Sequence, residues 1–103
     1  MSKIDDLENT VKELYASKNP ERDGWADWLA DNHVFVVADY ATALAKRFGA
    51  DPDLARASAL LHDIADYKMA RVNPDHENES LKVARELMVQ SGYMDDEVSL
   101  VVE

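Results

Sequence analysis

Ala57-Ser58-Ala59-Leu60-Leu61-His62-Asp63-Ile64-Ala65-Asp66 is the stretch on which the reading of this chain turns. An apolar run closing on a histidine and an aspartate brings an imidazole and a carboxylate to the end of a helix. Aspartate is almost never fully buried unless it is paired or metal-bound. Another histidine, His33, opens an apolar helical stretch 29 residues earlier. Imidazole nitrogen and carboxylate oxygen are both good donors to a divalent cation, so His33, His62 and Asp63 form a candidate metal site.

The rest of the chain reads as helices around that stretch. Ile4, Leu7, Val11, Leu14 and Tyr15 follow i, i+3, i+4 spacing and predict a first helix ending near Ser17 to Asn19, with Pro20 as the stop. Trp25, Trp28 and Leu29 predict a short helical segment whose tryptophans belong to the core. From His33 to Phe48 the apolar face is Val34, Val37, Ala38, Ala41, Leu44, Ala45 and Phe48, with Gly49 as cap. Asp51-Pro52 reads as N-cap and first helical position of a helix to about Ile64, with Leu54, Ala55, Ser58, Leu61 and His62 facing inward. His33 and His62 are therefore both expected to point into the core.

Tyr67 to Asp75 reads as a connection. A helix follows from about His76 to Gln90, with His76, Ser80, Val83, Ala84 and Leu87 on one face and Ser91-Gly92 ending it. Asp95 is expected to cap a last segment, Val98, Leu100, Val101 and Val102, that reaches Glu103 without a helix-ending signal. The expectation is an all-α bundle of about five helices forming one domain over residues 1–103, the last helix cut short and the domain continuing beyond it. Val98, Val101 and Val102 would then leave apolar surface that a second copy, in a homo-oligomer, could cover.

Composition narrows the partners. With 21 acidic against 11 basic residues the formal charge is −10, and the Lys and Arg are scattered. Such a chain repels phosphate backbones at long range, which argues against a nucleic-acid polymer. A small phosphorylated substrate is still admitted, because a bound metal and one or two local Lys or Arg reverse the field inside a pocket. The absence of cysteine excludes disulfides and thiolate sites and suits a cytoplasmic address. No apolar run approaches the ~20 residues that would span a bilayer, so no membrane partner is expected.

Asn32-His33 at a helix start, followed at this separation by the Ala57 to Asp66 stretch, resembles the HD-domain superfamily of metal-dependent phosphohydrolases, over about His33 to Leu87. The resemblance implies that His33, His62 and Asp63 ligate a divalent metal, and that Asp66, three residues after Asp63, is the general base acting on the attacking water. It implies a further ligand or substrate contact at His76. It also implies a fourth ligand, an Asp on a later helix. Asp95 and Asp96 read instead as helix-start residues, which puts that ligand beyond Glu103. Lys68 and Arg71, on the connecting segment, could reach a phosphate. Mixed His and Asp ligation suits Mn, Fe, Co, Ni or Zn better than Mg alone and leaves the metal open. The expected activity is hydrolysis of a phosphate ester or anhydride, in a nucleotide, by metal-activated water. The alternatives are a metal-binding but catalytically incomplete regulatory module and a plain helical interaction domain.

Overall fold

Six α-helices follow one another in the structure, a computed structural model that describes residues 2–17 and 19–102, and no strand occurs among those residues. They are α1 (Lys3–Ala16), α2 (Ala26–Leu29), α3 (Phe35–Phe48), α4 (Pro52–Leu61), α5 (His76–Gln90) and α6 (Asp95–Val102). A π-helical turn, Ala30–Val34, joins α2 to α3 in one rod, and a 3-10 turn, Ile64–Tyr67, follows α4. Counted as rods, the bundle has the five expected members. The abrupt end anticipated at Glu103 lies outside the described residues. No helix among them is long and apolar enough to cross a membrane.

Local signals set several boundaries. Gly49 closes α3 with φ 76°, a left-handed conformation that costs glycine little, and Ala50 N–H donates to the Ala45 carbonyl at 2.9 Å. Asp51 caps α4, its Oδ1 accepting from the amides of Asp53 (2.9 Å) and Leu54 (3.2 Å), with Pro52 in the first turn. The cap of α6 differs from expectation. Asp95 is already helical, and Glu97 Oε1 reaches back to the Met94 amide at 2.9 Å in the manner of a capping box. That bond, then the Lys3 ammonium at 3.2 Å, holds the Glu97 carboxyl below its usual range.

Leu7 and Val11 of α1, Leu60 of α4, Ile64, Met88 of α5 and Val98 of α6 form the centre of the core. The expected face of α5 is buried at every position, with Met88 added. Val98 is buried, and Val101 and Val102 pack partly against the core, so the valine surface expected on the last helix is only partly open; Leu100 is the most exposed apolar residue there. Arg56 of α4 ties three helices together, bonding Glu8 of α1 and, at 2.9 and 3.2 Å, Asp39 and Thr42 of α3.

Three expectations are corrected by burial. Trp25 is 41% and Trp28 62% exposed, because the segment that carries them buries Ala26 and Leu29 instead. On α3, Val37, Leu44 and Phe48 lie outside; the buried residues are Ala38 and Ala45, and a ridge of Val36, Tyr40, Leu44 and Phe48 faces solvent. On α4 the buried set is Ala57, Leu60 and Leu61, continued by Ile64. The helix is rotated so that its larger apolar residues are inside, and Ser58 and His62 turn out. The helix also stops at Leu61 rather than Ile64, His62 having ψ −85°.

Tyr93 carries a testable cost. Its hydroxyl is buried with no partner among the described residues, while the Lys3 ammonium lies 4.8 Å from its ring. Burial first, then the negative charges of Asp53, Glu97 and Asp51, push the phenol from 10.0 up to about 12. A raised phenol favours the neutral form in the fold, so its contribution to stability is complete below pH 10 and is lost as the pH rises through about 12. Tyr93→Phe should be neutral to stabilising by up to ~1 kcal/mol at pH 7, because it removes an unpaired buried hydroxyl, and should flatten the alkaline loss. Urea melts at pH 7 and pH 11 check this; a destabilisation above ~1 kcal/mol at pH 7 would show a hydrogen bond at that hydroxyl.

Candidate functional site

The end of α4, the 3-10 turn and the π-turn meet at a narrow cleft of about 20 Å³, room for roughly one water. Its lining includes Tyr15, His33, His62, Asp63, Asp66 and Arg71. His62 and Asp63 also form the wall of a wider groove of about 410 Å³, bordered by Ser58, Glu77, Ser80 and Leu81. That groove is in the size range of small-molecule sites.

His33 sits in the π-turn, a rare helical form found often at functional sites, where the Phe35 amide reaches back to the Ala30 carbonyl. It is exposed rather than inward, since the widened turn buries Ala30 and Val34. His62, at the C-cap of α4, has 78% of its side chain exposed, which likewise corrects the inward expectation. Its Nε2 stands 3.4 Å from Asp63 Oδ2.

Asp66 belongs to the first turn of the 3-10 segment, its amide donating to the Asp63 carbonyl at 2.9 Å. The side chain is 1% exposed and both oxygens are engaged. Arg71 Nη2 approaches Oδ2 at 2.5 Å, and His76 Nε2 lies 2.7 Å from Oδ1. An acid so held has both oxygens engaged within the protein, so action as a general base would need Arg71 or His76 to release one of them. His76 is buried as expected, at the first residue of α5, but is turned onto Asp66.

Arg71 also reaches Asp63, Nη2 to Oδ2 at 3.4 Å. The hydrogen bond to Asp66, followed by the charges of Asp66 and Asp63, raises its pKa further against the opposing effect of burial. Lys68 is directed elsewhere, its Nζ 2.9 Å from Glu79 Oε1, and it lines neither the cleft nor the groove. The structure therefore brings together His33, His62, Asp63, Asp66 and Arg71, and leaves Lys68 apart.

Tyr15 is a cleft residue that sequence reasoning placed only in the core of α1. Burial first, then Asp66 and Asp63, hold its phenol well above the ordinary tyrosine range, so it stays protonated at neutral pH. Its signal in the sequence is slight: one aromatic at the C-terminal end of an otherwise aliphatic stripe.

The HD domain family matches residues 30–103, a span containing the π-turn, the His62-Asp63 pair and α5. The chain belongs to the HD domain family. No curated protein matches it, and no solved structure does. HD domains are generally hydrolases and typically bind divalent metals. In this HD domain the donors fit a metal in kind, imidazole and carboxylate lining one cleft, but not in placement. Among the described residues no three histidine or carboxylate side chains stand close enough to hold one ion.

Proposed function

We propose that this HD domain is a metal-dependent phosphohydrolase acting on a phosphate ester or anhydride, with nucleotides as the substrate class, in the cytoplasm. The observation that carries the reading is that the matched family span delivers His33, His62 and Asp63 to one cleft while His62 and Asp63 also border a groove of ligand size. His33, His62 and Asp63 are the side chains that would take the ion once drawn together. Asp66 serves as an anchor: it fixes Arg71 and His76, and through them holds the 3-10 turn against α5. A neutral Tyr15 can present a proton to the cleft without adding negative charge. Arg71 is the one Arg or Lys among the described residues lining the cleft, so it is the permanently charged group to meet a phosphoryl oxygen there.

A second reading, a metal-binding module without turnover, is favoured by the dispersed donors and by the engaged state of Asp66. Metal analysis of untreated protein, with a panel of nucleotides and generic phosphate esters, separates the readings. Retained metal with metal-dependent phosphate release is the expected result. Retained metal with every substrate intact would establish the module. No metal, with a melting temperature unchanged by chelation, would reduce the chain to a helical interaction domain, since a ligand of the native state must raise its apparent stability.

A further inference from the structure

A cation already occupies the carboxylates of the cleft, and it is Arg71. Its Nη2 lies 2.5 Å from Asp66 Oδ2 and 3.4 Å from Asp63 Oδ2, and its Nε is 3.4 Å from Asp66 Oδ1. The attachment to Asp66 is double, one contact short and one long; that to Asp63 is single and long. The guanidinium is also 5.2 Å from the ring centre of Trp25, and the Arg71 amide donates to Asp23 Oδ2 at 3.0 Å, pinning the loop backbone while the side chain stays 44% exposed. Such a side chain can leave Asp63 for water without stranding its charge.

A dication using Asp63 as a ligand would meet the guanidinium within a few ångströms, where like charges repel strongly. Asp63 is met from within by Arg71 and by His62, whose Nε2 is also 3.4 Å from Oδ2, while no third histidine or carboxylate among the described residues joins them to complete an ion site.

We infer that Arg71 is a tethered counter-cation of Asp63 that competes with the divalent ion, so that ion entry and withdrawal of the guanidinium from Asp63 are a single event. The inference rests on the metal-binding reading above and adds how affinity is set. An ion that binds only the withdrawn state has its apparent affinity reduced by the fraction of molecules in that state.

Trp25 and Trp28 are the only tryptophans, so Trp28→Phe leaves a single emitter beside the guanidinium. Zn²⁺ is the probe, because its filled d shell adds no paramagnetic quenching. The expected result is a change in Trp25 emission that saturates with the calorimetric binding curve. Arg71→Gln, which keeps a donor for Asp66 and removes the charge, should bind Zn²⁺ about tenfold tighter and lose the emission change. Zn²⁺ binding with unaltered Trp25 emission, or an affinity in Arg71→Gln no better than in the parent, overturns the counter-cation and leaves metal binding standing. No Zn²⁺ binding in any variant overturns both. Should Arg71→Gln fail to fold by circular dichroism, the Trp28→Phe titration decides alone.

Discussion

Asp66→Ala is expected to lower stability by about 3 kcal/mol, a fall of roughly 12–24 °C in melting temperature for a domain of this size. The side chain is 1% exposed and bonded to Arg71 and to His76, itself only 7% exposed. Its removal leaves the His76 Nε2 without this partner and takes away one of the bridges between the 3-10 turn and α5, the Ala65 amide still donating to Ser80 Oγ at 3.1 Å. Arg71 is half-exposed and can be rehydrated, which keeps the loss below the upper end for a broken buried pair. Urea and thermal melts at pH 7 measure it. A loss within ~0.5 kcal/mol would show that the buried pairing carries no net stability, leaving the general-base role to be tested by turnover.

His62→Ala should behave in the opposite way. With 78% of its side chain in solvent and only a 3.4 Å contact to Asp63, the imidazole contributes little to the fold, and its loss should change stability by no more than ~0.5 kcal/mol. Metal affinity is where it should tell. Partners one shell removed from a metal already cost 10–100-fold when mutated, so loss of a direct ligand should weaken Zn²⁺ binding by at least about 100-fold, and Asp63→Ala should match it. Calorimetry on chelator-treated protein reads the effect. Parental affinity in both variants would show that the His62-Asp63 pair is not the cation site.

What the sequence made legible follows from interactions between near neighbours. The limits of α5 are readable because a single stripe from His76 to Leu87 lies between a connection and Ser91-Gly92. Gly49 and Asp51-Pro52 are readable because a left-handed cap and an Asx cap are satisfied within four residues. The family resemblance, carried on Asn32-His33 and on Ala57 to Asp66, agrees with the family match.

The parts that were not legible depend on tertiary choices. Two stripes on α4 share Leu54 and Leu61, and only packing against α1 and α3 decides that Ala57 and Leu60 go in and His62 goes out. The burial of Asp66 depends on Arg71 closing over it from a loop and His76 arriving at the start of another helix; the sequence offers all three residues without their pairing. The exposure of Trp25 and Trp28 has the same origin, since the small residues beside them allow the close approach that the core uses.

The turn at Ala30–Val34 spans five residues between bonded groups where an ordinary helical turn spans four. Each residue of an α-helix advances about 100°, so this single surplus residue sets the Trp28 half of the rod out of phase with the Tyr40 half. Excising one residue there would let the rod wind evenly and would swing His33 away from the end of α4. The phase slip is thus a gauge for the distance between the first histidine and the His62-Asp63 pair, adjustable by insertion or deletion without touching either.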